Sequence, residues 1–187
     1  MSSTLLIAGI GNPENKYNQT WHNAGLNFVD FFKEDLVKSN KHHSQTKQIK
    51  DEPLDSINVG DTQVLVYKST HFMNDSGLGI AKLLSFLKIP HSSLILCYDD
   101  LDIELGKSKL QFGRHPKAHN GVLSVISALG SEQFYHLRLG IYTPESEIFT
   151  SGRDYVLSAM PEAKKEALHE GFLQSLLKLK QEFNLDF

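Results

Sequence analysis

The first apolar segment of the chain limits its fold more than any other feature. Residues 5–10 read Leu-Leu-Ile-Ala-Gly-Ile, a continuous apolar run with a second glycine directly after it. In a strand with one solvated face, apolar and polar residues would alternate, so this run predicts a strand that is covered on both faces. From Ala24 onwards, apolar residues recur at helical spacing. A strand covered on both faces that leads into a helix indicates an α/β protein.

The alternation of strands and helices continues along the chain. A Gly-Asp turn at 60–61 separates strand-like runs at 56–59 and 62–68, which is typical of a hairpin. Further strands are predicted at 93–98, 107–111 and 136–141, and helices at 78–87, at 120–129 and after Pro161. Residues 38–53 are polar and predict a loop. The whole pattern predicts an α/β sandwich with a partly parallel sheet.

Size and composition favour one domain in a reducing compartment. The chain has 187 residues, an ordinary length for a single domain. Its one cysteine, Cys97, cannot form an internal disulfide. No apolar run approaches the roughly 18 residues that a membrane helix requires. Because residues 1–4 lead directly into the first strand, we expect no signal or transit peptide and a cytoplasmic protein. An organelle such as the mitochondrion stays open as the alternative.

Basic residues are concentrated in two stretches, although the net charge of the chain is −3. Residues 38–50 and residues 106–119 contain lysine and histidine, with one arginine in the second stretch, and no acidic residue. Such stretches on an otherwise acidic chain are typical of a face that docks a polyanion. Solvated loops are the plainer interpretation, and charge alone does not decide between the two.

Polar side chains occur at the carboxyl ends of three predicted strands. Asn12, Asp99 and Asn74 each follow such a strand directly or within a few residues. Ligands of open α/β sheets bind at this edge, so we expect the three side chains to gather around one site. His22 lies at a junction between loop and helix. If Asp99 bonds one of its ring nitrogens, the other nitrogen remains basic and can activate water.

An attacking water is favoured over a covalent nucleophile or a metal centre. The chain has no G-x-S-x-G motif, and Cys97 lies within an apolar strand. His115 and His119 have the spacing of a helical metal pair, but Pro116 between them opposes a helix. We therefore expect no bound metal.

Several of these residues also have a purely structural interpretation. His22 can be a helix cap or a surface group. Asn120 begins a predicted helix and is a good cap, although its amide can also hold a water or a substrate carbonyl. Phe72, Met73 and Asn74 combine an apolar wall with an amide, or form the entry turn of a helix packed on the core. The residues alone leave these alternatives open.

Seven short motifs follow one another between the first strand and about residue 141. They are Gly9-Ile10-Gly11-Asn12-Pro13, Tyr17, His22-Asn23-Ala24-Gly25, Phe72-Met73-Asn74-Asp75-Ser76-Gly77, Asp99-Asp100-Leu101-Asp102, His119-Asn120-Gly121 and Arg138-Leu139-Gly140-Ile141. One such motif is weak, but the ordered set is specific. The chain resembles the bacterial-type peptidyl-tRNA hydrolases.

The resemblance implies a fold, a reaction and a partner. The fold is one domain over residues 1–187, a three-layer α/β sandwich with a twisted mixed central sheet flanked by helices. The reaction is hydrolysis of the ester that joins a peptide to the 3′-terminal ribose of tRNA, without a metal or an organic cofactor. The partner is peptidyl-tRNA, contacted at its acceptor stem and CCA end, and the protein is a monomer with no membrane association.

The resemblance also implies roles for individual residues. The match to His22 is the catalytic base, the match to Asp99 supports it, and the match to Asn12 distinguishes a blocked amino group from a free one. The match to Arg138 grips tRNA phosphate. The residues that match the lining of the substrate site are Tyr17, Phe72, Met73, Asn74 and Asn120, the last of which also belongs to the catalytic set.

The chain departs from the family pattern near these motifs. Trp21 replaces an arginine, which removes a cation or adds a stacking surface. Gln111 replaces a lysine that helps to hold phosphate, and Lys109 or Lys107 is the expected substitute. Residues 113–118 replace a glycine-rich run with a stiffer and more basic loop.

Two other functions stay open. One is a catalytically inactive module of the same fold that binds tRNA or another RNA, and retention of the matched residues opposes it. The other is a hydrolase of small N-blocked esters or peptides, which would need no basic docking face. Hydrolysis of an acetylated aminoacyl-tRNA, compared with that of a short 3′ fragment, separates these functions.

Overall fold

The computed structural model describes residues 3–38 and 44–186, which form a seven-stranded sheet with helices on both faces. The strands are β1 (Ser3–Gly9), β2 (Gln45–Ile49), β3 (Glu52–Val59), β4 (Thr62–Lys68), β5 (Leu94–Glu104), β6 (Ser108–Phe112) and β7 (Tyr135–Tyr142). The helices are α1 (Ala24–Lys38), α2 (Ser76–Leu87), α3 (Asn120–Leu129), α4 (Gly152–Leu157) and α5 (Glu162–Phe183). None of the helices in this part of the chain has the length and apolar character needed to cross a membrane.

The sheet is mixed, as expected. Its strand order is β2-β3-β4-β1-β5-β7-β6. β1 runs parallel to β4 and β5, and β5 runs parallel to β7. β2 and β3 at one end, and β6 at the other, pair antiparallel with their neighbours. The predicted fold class, an α/β sandwich with a mixed central sheet flanked by helices, is confirmed.

Side chains of β1 alternate between two cores, one on each face of the sheet. Leu5 and Ile7 pack with side chains of α1 and α5, whereas Leu6 and Ala8 pack with those of α2 and α3. This double burial explains why the first segment is continuously apolar. Each fully buried leucine or isoleucine stabilises the fold by about 1.5–3 kcal/mol relative to an exposed one. β1 is therefore a strongly anchored centre for the sheet that positions the site.

A predicted loop and the predicted end of one strand are wrong. The stretch 38–53 contains β2 and the start of β3 rather than a loop, and residues 39–43 lie outside the described part of the chain. β2 shows no apolar alternation because its side chains are mostly exposed, and backbone pairing with β3 holds it at the sheet edge. β5 continues to Glu104 through an irregular register with β7 after Asp100. Asp99 therefore lies inside β5 and not beyond its end.

Candidate active site

A cleft of about 1070 Å³ is lined by residues that follow β1 and β4 and by residues of β5. The predicted site residues in its lining are Asn12, Tyr17, His22, Phe72, Met73, Asn74, Asp99, Asn120 and Arg138. Lys109 is the exception, because it lies on the edge strand β6, in a separate groove beside α5. The polar side chains associated with three separate strands therefore meet at one site, as the strand pattern predicts.

His22 and Asp99, which are 77 positions apart in the sequence, form a hydrogen-bonded pair. Nδ1 of His22 lies 2.9 Å from Oδ1 and 3.0 Å from Oδ2 of Asp99. The Asp99 residue is only 2% exposed. Within residues 3–38 and 44–186, no group bonds the other ring nitrogen, Nε2, and the ring lines the cleft. The pair can therefore present a basic nitrogen to a bound water.

The residues on either side of His22 fix its position. Trp21 is buried and stacks on Tyr155 of α4, with ring centroids 5.1 Å apart. Asn23 is also buried: its Oδ1 accepts a hydrogen bond from Asn12 N at 2.8 Å, and its Nδ2 donates to Asn12 O at 2.9 Å. Trp21 is thus a core residue and offers the substrate no stacking surface. The helix that covers it, α4, has only six residues and was not predicted.

Close packing of α1 on the sheet brings the pair together. A Cβ at Gly25 would lie 2.3 Å from the carbonyl oxygen of Cys97 and 2.7 Å from that of Ile10. Such contacts are too short for any side chain, so only glycine lets α1 begin directly against β1 and β5. The turn before α1 thereby places His22 beside Asp99.

The electrostatics of the pair make His22 a stronger base than free imidazole. Burial lowers the pKa of His22, but the charge of Asp99 and the hydrogen bond to it raise that pKa by more, so it lies above the ordinary value of 6.5. Burial also opposes ionisation of Asp99, yet electrostatic attraction and hydrogen bonds from His22 and His119 hold the pKa of its carboxyl well below its usual range. Asp99 is therefore a carboxylate at neutral pH.

A second histidine, His119, binds the same carboxylate, and this contact was not predicted from the sequence. Its Nε2 lies 3.1 Å from Asp99 Oδ1, and its Nδ1 accepts a hydrogen bond from Val122 N at 3.3 Å. Because Nδ1 is an acceptor, Nε2 carries the proton and donates it to Asp99. His119 is thus the N-cap of α3, and the interpretation of Asn120 as the cap is wrong. Asn120 is the first residue of α3 and is exposed in the cleft.

His22, Asp99 and His119 place three ligand-capable atoms within 4.8 Å of one another. The tautomer of His119 opposes a metal ion at this position. A metal bound to its Nε2 would force the proton onto Nδ1, where it would face the N–H of Val122. The geometry therefore supports a hydrogen-bonded cluster in which one carboxylate orients two imidazole rings.

Asn12 is oriented by the segment that follows β4. Its Oδ1 accepts a hydrogen bond from Met73 N at 3.1 Å. The Nδ2 group of Asn12, for which the described chain offers no acceptor, is left for a substrate. Both interpretations of Phe72, Met73 and Asn74 hold, since they enter the turn before α2 and also line the cleft. Met73 is buried, whereas its two neighbours are exposed.

Arg138 borders the cleft but is already engaged. Its Nε donates to Asp100 Oδ2 at 2.5 Å, and its Nη1 donates to Gln111 Oε1 at 3.0 Å. Lys109 lies opposite Arg138 in the pairing of β6 with β7. Gln111 therefore holds the arginine in place, and Lys109 adds a positive charge beside it.

The two basic stretches lie at opposite edges of the sheet. Lys47 belongs to β2 at one end of the strand order, and Lys109 belongs to β6 at the other. Residues 39–43 of the first stretch fall outside the described ranges. The second stretch reaches the cleft through His115, Pro116, Lys117 and Ala118. Among the described residues, the second stretch therefore borders the cleft and the first does not, and docking of a polyanion stays a prediction.

Comparison with known proteins identifies the family. The family model described as "Peptidyl-tRNA hydrolase" matches residues 6–184. The peptidyl-tRNA hydrolase of Ligilactobacillus salivarius is 31% identical over 175 residues, which cover 93% of this chain and 90% of the relative. That of Carboxydothermus hydrogenoformans is 38% identical over 167 residues, which cover 88% of this chain and 83% of the relative.

Solved structures agree with these sequence matches. Crystal structures of a mutant and of the unmodified peptidyl-tRNA hydrolase from Acinetobacter baumannii superpose with TM-scores of 0.80 and 0.78, at 28% and 29% identity. Each alignment covers 96% of this chain and 88% of that protein. The sequence motifs, the fold and the matched lengths all lead to the same assignment, and the chain belongs to the peptidyl-tRNA hydrolase family.

Proposed function

We propose that this protein hydrolyses the ester between the peptide and the 3′-terminal ribose of peptidyl-tRNA and so returns the tRNA for reuse. Membership of the family makes the chain an ester hydrolase. One observation carries the mechanism: His22 is bonded through Nδ1 to the buried carboxylate of Asp99, while its ring lines the cleft.

The proposed chemistry uses only side chains of the cleft, with no metal and no cofactor. Nε2 of His22 takes a proton from a water as the water oxygen attacks the ester carbonyl carbon. The carbonyl oxygen becomes negative, and amide donors of Asn12 and Asn120 stabilise it. The bond between this carbon and the ribose oxygen then breaks, and the imidazolium returns the proton to that oxygen. Asp99 keeps its bond to Nδ1 and stabilises the positive ring.

Positive charge at the cleft suits tRNA phosphates. Lys117, Arg138 and Arg153 line the cleft, and Lys109 lies beside Arg138 on the neighbouring strand. Contacts of this kind with the acceptor stem and CCA end supply affinity without reading base sequence. We further propose that residues 1–187 form one domain and that the protein acts as a monomer in the cytoplasm. The bacterial origin of the relatives and the buried free thiol of Cys97 support this compartment.

Whole N-acetyl-aminoacyl-tRNA is expected to be a better substrate than its short 3′ fragment. The value of kcat/KM should fall by at least about 10-fold on the fragment, because remote binding energy is lost. Raising the salt from about 50 to about 200 mM should raise KM for the whole tRNA by roughly 10- to 40-fold if two or three phosphates are contacted. Binding without release of the acetyl-amino acid would indicate the inactive RNA-binding module, and equal efficiency on both substrates would indicate a hydrolase of small esters.

The pH profile of kcat/KM is expected to rise to a half-maximum above pH 6.5. The neutral form of His22 is the one that accepts a proton from water, and Asp99 raises the pKa at which this form appears. Activity should therefore be lost as the pH falls through the raised pKa and should reach a plateau above it. Initial rates measured with whole N-acetyl-aminoacyl-tRNA between about pH 5 and about pH 9 test this. A half-maximum below pH 6.5 would mean that burial, and not Asp99, controls His22.

A further inference from the structure

A buried carboxylate outside the catalytic cluster collects four side-chain donors. Glu52, the first residue of β3, is 2% exposed. Its Oε2 accepts hydrogen bonds from Tyr67 Oη at 2.7 Å and from Thr70 Oγ1 at 2.9 Å. Its Oε1 lies 2.9 Å from His71 Nε2 and 3.1 Å from Lys82 Nζ. The reaction described above makes no use of this carboxylate.

Two of the four donors belong to the segment 69–72, which connects β4 to the wall of the cleft. Its backbone is bonded outside any regular helix or strand: Ser69 N donates to Gly9 O at 3.0 Å, and His71 N donates to Ser69 Oγ at 3.3 Å. With so little regular backbone pairing, side-chain contacts decide the path of the segment. Those from Thr70 and His71 both end on Glu52.

The path of this segment determines the geometry of the cleft. Phe72 ends the segment, and Met73 and Asn74 follow it in the lining. Met73 N also donates to Asn12 Oδ1 at 3.1 Å. A displacement of the segment would therefore move an apolar wall and one amide of the cleft, whereas Asn12 is kept in place by the two bonds between its backbone and the side chain of Asn23.

The same carboxylate ties the segment to α2. Lys82 belongs to α2, and Tyr67 and His71 pack against this helix at Gly79. A Cβ at Gly79 would lie 2.2 Å from Tyr67 Oη and 2.9 Å from His71 Cδ2, so the helix approaches as closely as glycine permits. Glu52 thus joins β3, β4, the segment 69–72 and α2 at one point.

The charge of Glu52 is required for these contacts. Burial raises the pKa of its carboxyl, but hydrogen bonds from Tyr67, His71 and Lys82 lower that pKa by more than burial raises it, to about 2. A carboxylate accepts charge-assisted bonds on both oxygens. A glutamine would offer Lys82 and His71 a neutral oxygen and would turn its NH₂ group towards the hydroxyls of Tyr67 and Thr70, which would have to reorient to accept. Glutamine at this position would therefore loosen the segment even though it has nearly the same size.

We propose that Glu52 is a positioning residue for the hydrolysis of peptidyl-tRNA. Through Thr70 and His71 it fixes the segment that leads to Phe72, Met73 and Asn74, and it thereby sets the affinity of the cleft for the aminoacyl end of the substrate. The inference rests on the proposed function and assigns a second carboxylate to it. Unlike Asp99, Glu52 acts on substrate binding and leaves the attacking water alone.

The test is Glu52→Gln, assayed on N-acetyl-aminoacyl-tRNA beside Asp55→Asn. Asp55 is the matched control, because it is a carboxylate of the same strand whose partners, Lys33, Ser44 and Thr46, all lie away from the segment 69–72. We expect Glu52→Gln to raise KM by about 10-fold, an order below the loss that a 1 Å misplacement can cause. The value of kcat and the pH at half-maximal activity should stay within about twofold, since loss of contacts made equally in the ground and transition states changes KM alone. Asp55→Asn should leave KM unchanged.

The split between KM and kcat separates positioning from a loss of folded protein. Partial unfolding would lower the concentration of active enzyme and so reduce kcat at constant KM. An unchanged KM in Glu52→Gln, or an equal rise in Asp55→Asn, would overturn the inference. If Glu52→Gln does not fold, Thr70→Val is the second variant, because it removes one donor and keeps a branched side chain. It should raise KM by about 3-fold. An unchanged KM in this variant would also overturn the inference. Absence of activity in the wild-type protein would instead refute the proposed function.

Discussion

Replacement of His22 by asparagine is expected to slow the hydrolysis of N-acetyl-aminoacyl-tRNA by at least about 10³-fold while tRNA binding changes little. An asparagine amide can still donate to the Asp99 carboxylate, which now accepts from Nδ1 at 2.9 Å. It offers no basic atom to a water, so the attack on the ester loses its proton acceptor. The cations that border the cleft are not altered, so the phosphate contacts remain.

Single-turnover rates and a direct tRNA-binding measurement separate the two effects. His22→Ala should be equally inactive, but it removes one of the donors to a buried carboxylate, which costs about 1–3 kcal/mol of stability. His22→Asn is therefore the cleaner variant. His91→Ala serves as the control, because His91 lies in the turn before β5, outside the lining of the cleft. A purified His22 variant that cleaves at the wild-type rate would refute the assignment of the base.

The fold was predictable wherever burial leaves a pattern in the sequence. The run from Leu5 to Ile10 is apolar because its side chains enter two cores, and this feature alone indicated a sheet covered on both faces. β2 leaves no such pattern, since backbone pairing with β3 holds it and its side chains face solvent. Glu52 lies within the polar stretch 38–53, where the sequence does not distinguish a buried carboxylate from a solvated one. Its role depends on donors from β4 and α2 that meet only in the folded chain.

The site was predictable to the extent that one rule about sheets places it. Asn12 and His22 lie on the loop after β1, and Asp99 lies in β5 two positions past Cys97, which pairs with the last residue of β1. The carboxyl end of β1 therefore brings them together. The role of His119 needed coordinates, because it depends on the tautomer that Val122 N imposes. Its position directly before the Asn-Gly start of α3 was the one available signal. Charge patterning could not show that the described parts of the two basic stretches lie at opposite edges of the sheet, because it contains no information about strand order.

Asp99→Asn is expected to reduce kcat by about 10²–10⁴-fold, the usual scale of acid–base assistance. His119 determines how the new amide turns. Its Nε2–H donates to Oδ1 of residue 99, so this atom stays an oxygen in the asparagine. The NH₂ group then takes the place of Oδ2, which now lies 3.0 Å from His22 Nδ1. Because this NH₂ group can only donate, the contact at the Oδ2 position is kept only if Nδ1 of His22 becomes the acceptor and its proton moves to Nε2; the bond from Nδ1 to Oδ1, an atom already shared with His119, is then given up. The nitrogen that faces the water is then protonated and cannot act as a base.

This argument also fixes the pH dependence of the variant. The carboxylate that raises the pKa of His22 is gone, while burial, which lowers that pKa, remains. The half-maximum of residual activity should therefore shift to a lower pH than in the wild type even though the plateau is lower. Asp30→Asn, which removes a surface carboxylate paired with Lys68, should change neither value. If Asp99→Asn kept its rate and its pH profile, His22 would not depend on Asp99, and water activation by this pair would have to be abandoned.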